Sequence, residues 1–271
     1  MRRTIPSFAD QDGMGCYPLF ACRDWSRLPI DLDTLRGELV SLALVADPFG
    51  DYDVTQLQAC FDIVVPYKSH FVVDMRQPLE GFISHHHRRA VRKAVQQVDV
   101  EPCLDPPQFL DDWTRLYANV VAKYGVTGIR AFSREAFARQ LRVPGTVIFR
   151  AVCQGETVAA DWYYVQGEVA YAHLAACGLS GYEVGAAYAL QWMAIKYFVD
   201  KVRWLDLGGG AGLAADDRDG LSRFKQGWST GTRCAYFCGR VFDQNKYEQI
   251  VKAKERAMTG YFPAYREGEF R

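Results

Sequence analysis

The spacing of apolar residues changes character along the chain, and each change predicts a different element. Residues 39–45 are an apolar run that reads as a buried strand, stopped by Asp47-Pro48. Residues 61–65 and 70–73 are two shorter strand candidates, while the first thirty residues carry little periodicity and are expected to wrap over a folded body. Ser84 is placed to cap a basic helix running to about Gln97. Pro106-Pro107 then opens a helix in which Phe109, Leu110, Trp113, Leu116, Tyr117, Val120, Val121 and Tyr124 follow the i, i+3/i+4 rule, with Gly125 at its stop. A second helix follows Ser133 as N-cap, with Phe132 and Phe137 spaced as a hydrophobic staple.

From about residue 146 the period becomes that of strands. Residues 147–152, 158–165 and 169–175 read as three consecutive strands. Their connections, Gln154-Gly155-Glu156 and Gln166-Gly167-Glu168, suit antiparallel hairpins. A polar loop over 177–183 leads into a helix whose apolar face is Leu190, Met193, Ala194, Tyr197 and Phe198. A strand at 202–207, a glycine-rich loop, a strand at 234–241 and a helix from about Lys246 complete the order, which has α+β character.

Composition narrows the partners. With 32 basic and 32 acidic residues the formal charge is zero, so a global attraction to nucleic acid or anionic membrane is not indicated. No run approaches the roughly 18 apolar residues a membrane span needs. The start of the chain lacks an apolar leader, and the cysteines at 16, 22, 60, 103, 153, 177, 234 and 238 form no C-x-x-C pair. These features predict buried thiols in a reducing cytoplasm and no zinc ribbon.

Three segments can carry chemistry. The junction Tyr182-Glu183-Val184-Gly185-Ala186-Ala187 puts small residues at a helix start, where unpaired backbone N–H groups favour a phosphate; close helix packing selects the same residues. In 205–212, Asp206 precedes Gly208, Gly209, Gly210 and Gly212, more glycine than one turn needs, without the order of a dinucleotide fingerprint. In 220–228, Arg223 and Lys225 flank Phe224, and a lysine there can stabilise an oxyanion; the plainer reading is an exposed basic turn anchored by Phe224 and Trp228. His173 is a candidate general base if the strand face it shares with Tyr171 and Ala175 lines a cleft, although a lone strand histidine is more often a core residue. His85, His86 and His87 cannot share one helical face, which argues against a metal site. Arg88, Arg89, Arg92 and Lys93 cluster at helical spacing as a solvated face or a dock for phosphate. No nucleophile motif is present.

Residues 146–250 resemble the acetyltransferase-like domain of the FemAB peptidyltransferases and their GNAT relatives. The resemblance rests on Gly185-Ala186-Ala187 at a helix start, Leu205-Asp206-Leu207-Gly208-Gly209 at a strand end, and Arg223-Phe224-Lys225-Gln226-Gly227-Trp228 after it, with the basic helix of Arg88, Arg92 and Lys93 in addition. It implies an α+β GNAT-like fold with two lobes, expected at 1–140 and 141–271, and a cleft between them. It also implies N-acyl or N-aminoacyl transfer by direct attack of an amine. The donor would be acyl-CoA or aminoacyl-tRNA, the acceptor a small-molecule or peptide amine, and no metal or tightly bound cofactor would be needed. Lys225, with Phe224 beside it, matches the lysine that supports the acyl-transfer centre. His173 and Asp206 are further catalytic candidates. Tyr182, Gly185, Ala186 and Ala187 would hold the donor, with Tyr182 standing where the family's coenzyme A loop has Gln or Arg. Arg88, Arg92, Lys93, Arg223, Gly208 and Gly209 would contact substrate. A non-catalytic binding module of the same fold is the alternative, and donor binding separates the two.

Overall fold

The computed structural model describes residues 1–128, 131–210, 219–255 and 260–269, apart from the side chain of Glu80. In chain order the elements are β1 (Arg2–Thr4), β2 (Gln11–Met14), α1 (Leu28–Asp33), β3 (Ser41–Ala46), α2 (Val54–Cys60), β4 (Ile63–Asp74), α3 (Leu79–Phe82), α4 (His85–Ala94), β5 (Asp99–Pro102), α5 (Leu110–Tyr124) and α6 (Arg134–Gln140). There follow β6 (Thr146–Cys153), β7 (Glu156–Gln166), β8 (Val169–Cys177), α7 (Leu179–Glu183), α8 (Ala186–Phe198), β9 (Trp204–Gly208), α9 (Gly220–Gln226), β10 (Gly231–Val241) and α10 (Gln244–Ala253).

These elements form two compact units, one of Met1–Lys68 with Cys234–Arg271 and one of Ser69–Arg233. The lobe boundary expected between residues 140 and 141 lies within the second unit, between α6 and β6. In the first unit β1 pairs antiparallel with β2, β2 parallel with β3, and β3 antiparallel with β10. Trp25, Leu28, Leu32, Leu44, Leu57 and Cys238 form one core there, and Ile5, Val40, Tyr247, Ile250 and Tyr265 another. Arg266, 5% exposed, is held by Asp12 through Nη2 at 2.9 Å and by the Thr4 carbonyl at 2.9 Å, so the buried guanidinium has its charge and its donors matched.

The second unit is built on β4-β9-β8-β7-β6-β5. Its pairs are antiparallel except β8 with β9. The two short turns expected at Gly155 and Gly167 make the β6-β7 and β7-β8 hairpins. On one face α5 and α6 pack Trp113, Leu116, Tyr117 and Phe137 against Ile148, Ala160 and Trp162. On the other, α8 lays Ala186, Ala189, Leu190, Ala194 and Phe198 over Phe149, Ala159, Tyr163 and Leu205. The helix signals were local and were met. Ser84 accepts from the His87 N–H, Ser133 from the Ala136 N–H, and Gly125 takes the left-handed conformation after α5. Each such side-chain cap contributes about 1 kcal/mol. Phe132 and Phe137 meet at 5.6 Å between ring centroids.

Four expectations change. The two strand candidates at 61–65 and 70–73 are one strand, β4, whose exposed middle carries no apolar pattern although its backbone stays extended. The expected loop at 177–183 contains the single-turn helix α7, too short to show a helical period. The first thirty residues are not only a wrap, since β1 and β2 pair within them. The basic segment at 220–228 is not a turn: Asp219 accepts from the Leu221 and Ser222 N–H groups and starts α9.

Candidate active site

All the candidate residues of the sequence analysis lie in the second unit. The parallel strands β8 and β9 pair only at Val169–Trp204, Ala170–Leu205 and Tyr171–Asp206. Beyond that point β8 runs on to Cys177 while β9 ends at Gly208, and no further β8–β9 pair exists among the described residues. Among the described residues no strand pairs with β8 on that side past Tyr171, and such an edge can bind an extended group through main-chain hydrogen bonds.

β8 leads through α7 to the start of α8. Gly185, at φ 69°, is the N-cap of α8 and gives no side-chain cap. Glycine adopts that conformation without strain, and it supplies no side chain to cap the first N–H groups of this 13-residue helix. Ala186 is fully buried and Ala187 half-buried. A Cβ on Gly185 would lie 3.9 Å from Cβ of Ala94, so the last turn of the basic helix α4 abuts this helix start. Arg92 and Lys93 of that turn are exposed and Arg88 half-buried. Arg88 and Arg92 line a cavity of about 310 Å³ with Leu79, Ile83, Val91, Val95 and Trp192. Tyr182 sits beside, not on, the helix start. Its ring carries the Lys123 ammonium at 3.6 Å, its hydroxyl meets that of Tyr124 at 3.4 Å, and burial pushes its phenol pKa up.

The end of β9 forms the second part of the site. The Gly208 N–H donates to Asp206 Oδ1 at 2.7 Å, which bends the chain into a glycine at φ 75°. Lys225 reaches back from α9 and donates from Nζ to the Gly209 carbonyl at 2.6 Å, 3.3 Å from where a Cβ on Gly208 would stand. A side chain at 208 would therefore displace the lysine. Gly210 packs still more closely on Ser222, whose hydroxyl donates to Asp219 Oδ2 at 2.6 Å. The part of the glycine cluster at Ala211 and Gly212 lies outside the described residues.

Asp206 itself is 2% exposed and is bonded to His70 Nδ1 at 2.8 and 3.1 Å. That geometry gives it a fixed structural partner on β4. His173 does not join the site. Asp161 opposes Ala175 and Trp162 opposes Leu174, but Tyr163 opposes Ala172, so the β7–β8 register skips His173. The bulge turns its ring toward α6, among Tyr164 at 4.8 Å and Trp162 at 5.4 Å. There Nε2 donates to Gln140 Oε1 at 2.7 Å, and burial lowers its pKa to about 4.

Sequence reasoning passed over the residue that ties the parts together. His87 was weighed only as a metal ligand. It lies on the inner face of α4 with Val91 and Ala94, 5% exposed. Its Nε2 donates to the Phe224 carbonyl of α9 at 2.9 Å. Since that nitrogen carries the hydrogen, Nδ1 accepts from the Ser84 hydroxyl at 2.8 Å, and the ring is neutral. Desolvation lowers its pKa accordingly. Trp228, Tyr188 and Phe224 surround it at centroid distances of 4.9, 5.2 and 5.6 Å. Phe224 also meets Tyr188, three residues after Gly185, at 5.2 Å. Through this aromatic cluster the Lys225 helix and the start of α8 are held in one packed body, with Arg223 exposed on the outer side of α9. The helical spacing 87, 91, 94 was the available signal. Among the described residues no group of three or more His, Cys, Asp or Glu could hold a metal ion, and no helix is long and apolar enough to cross a membrane.

The architecture matches solved structures at low identity. FemX aligns with a TM-score of 0.67 over 92% of this chain and 85% of its own, at 12% identity. The C-terminal domain of a putative lysylphosphatidylglycerol synthetase from Agrobacterium fabrum aligns at 0.64 over 89% and 79%, at 13% identity. L-PGS from Bacillus licheniformis aligns at 0.58 over 83% and 75%, at 15% identity. No match to a curated protein was found by sequence. These likenesses establish the fold as α+β and GNAT-like. A family model for the Acetyltransferase (GNAT) domain matches residues 84–226, from the Ser84 cap of α4 through Gln226 at the end of α9. That span holds the open strand edge, the α8 start and Lys225, and it is just over half of the chain: this protein belongs to the GNAT acetyltransferase family and is an acyltransferase.

Proposed function

We propose that the protein transfers an acyl or aminoacyl group to an amine, with the donor lying along the open edge of β8. The separation of β8 from β9 after Tyr171–Asp206 carries this reading, because it provides main-chain groups for an extended donor arm between an uncapped helix start and Lys225. Phosphate of the donor sits at the N–H groups of Ala186 and Ala187, where the helix dipole favours an anion and no side chain caps the helix. Both acyl-CoA and aminoacyl-tRNA combine phosphate with an acyl carbonyl in one molecule. The fold shared with FemX and the lysylphosphatidylglycerol synthetase domain supports keeping the second donor beside the first.

The amine attacks the carbonyl directly. A C–N bond forms, the C–S bond of a thioester or the C–O bond of an aminoacyl ester breaks, and the amine's proton leaves with the thiol or hydroxyl. Lys225 stabilises the oxyanion, positioned by its bond to the Gly209 carbonyl. Arg88, Arg92 and Lys93 receive an anionic acceptor or the nucleic-acid part of the donor. Asp206 holds the β9 end through Gly208 and His70, and His173 takes no part. A cytoplasmic setting, where both donors are made, follows from this reading.

The test is thermal unfolding of the purified protein against coenzyme A and acetyl-CoA. Ligand at a hundred times its dissociation constant should stabilise the native state by about 2.7 kcal/mol. A saturable rise supports the thioester donor. No rise at millimolar ligand, with binding of a charged tRNA in its place, assigns the donor as aminoacyl-tRNA; failure of both overturns the reading.

A further inference from the structure

Beneath the proposed donor edge lies a polar group that the transfer chemistry does not use. Ala159, Asp161 and Tyr163 follow at the strand period on the α8 face of β7, and Ala159 and Tyr163 are each 1% exposed. The Tyr163 hydroxyl donates to Gln191 Oε1 on α8 at 3.4 Å and lies against the Asp161 carboxyl. Gln191 is 6% exposed, yet its amide nitrogen has no hydrogen-bond partner. A buried amide N–H left unpaired is costly, and a ligand group that reached it would offset that cost.

The position of the cluster relates it to the donor. Asp161 is the cross-strand partner of Ala175, which is exposed on the part of β8 that β9 does not cover. Directly opposed residues of an antiparallel pair share a face. Asp161 is partly exposed as a residue and stands directly opposite that stretch. Burial raises its pKa to about 7, which lets it act as donor or acceptor near neutral pH.

Resting on the donor placement above, we propose that Asp161, Tyr163 and Gln191 form the acyl-group subsite and select acyl groups bearing a hydrogen-bonding substituent, amino or hydroxyl, over plain alkyl acyls. A site that spends buried polar groups on a substituent rejects the analogue lacking it, because those groups are then left unpaired. The subsite would therefore discriminate among donors of equal length.

The experiment measures dissociation constants of free coenzyme A and of propionyl-, lactoyl- and β-alanyl-CoA for the full chain by calorimetry. The same titrations are run with Gln191→Leu, Asp161→Asn and Tyr163→Phe, near-isosteric changes chosen to keep the packing. At least one polar acyl-CoA should bind tenfold or more tighter than propionyl-CoA. The ratio should fall to within twofold in Gln191→Leu and at least one other variant, with coenzyme A itself bound as before. Equal binding of all three thioesters by the unaltered protein, or a preference that survives all three substitutions, overturns the subsite and leaves the donor reading standing. Absence of coenzyme A and thioester binding by the unaltered protein overturns the subsite for thioester donors; if charged tRNA is not bound either, the donor reading falls with it.

Discussion

Protonation of His173 should destabilise the fold, by an amount its burial sets. The ring sits between β8 and α6 with Nε2 bonded to Gln140, and its pKa is lowered from 6.5 to about 4. A depressed histidine pKa means that the native state refuses a proton the unfolded chain accepts. Stability is therefore fully present above pH 6.5 and falls as the pH drops from there to about 4. One pKa unit corresponds to 1.36 kcal/mol, so the loss accumulates at about 1.4 kcal/mol per pH unit and reaches about 3 kcal/mol at the lower end. Urea unfolding at pH 7.5, 6.5, 5.5 and 4.5, run on the unaltered protein and on His173→Phe, isolates this contribution. The variant loses the bond to Gln140 and starts less stable, but that loss does not depend on pH. His87 and the carboxylates titrate in both proteins and cancel in the difference. The variant's profile should be the flatter by about 1.4 kcal/mol per unit between pH 5.5 and 4.5. Parallel profiles would refute the claim that the bulge buries a neutral imidazole, and would reopen His173 as an accessible base.

Three substitutions probe the site's construction. Gly227→Ala puts a Cβ 2.2 Å from the His87 ring and should cost about 1–3 kcal/mol by overpacking, read from the denaturation midpoint; an unchanged midpoint would refute the close α4–α9 packing. Asp219→Ala removes the cap of α9 and should cost about 0.5–2 kcal/mol; because Ser222 and Lys225 ride on that helix, affinity for the donor should weaken as well. Lys225→Met should lower the rate of thiol release from acetyl-CoA with a panel of amines by at least a hundredfold while shifting stability by no more than about 1 kcal/mol; an unchanged rate would remove the lysine from the mechanism.

The parts of this protein written in its sequence are those governed by neighbours within a few residues. Ser84 and Ser133 cap helices through N–H groups three positions on. The period of α5 buries Trp113, Leu116 and Tyr117, and the glycine turns fix the β6-β7-β8 meander. The motifs at 185–187, 208–209 and 223–228 were visible for the same reason, since a helix start, a strand end and a lysine beside an aromatic are all local patterns. The tertiary structure decided what those patterns do. Whether His173 faces a cleft or a core turns on one skipped residue in the β7–β8 register, which alternation along β8 alone does not record. His87 was weighed only as a metal ligand, and its partner is the Phe224 carbonyl, 137 residues away. Asp206 was named from its place before the glycines, and its bond to His70, 136 residues away, appears only in the fold. Burial and hydrogen-bond pairing are set by groups brought together across the whole chain, so local spacing could nominate these residues but not assign them.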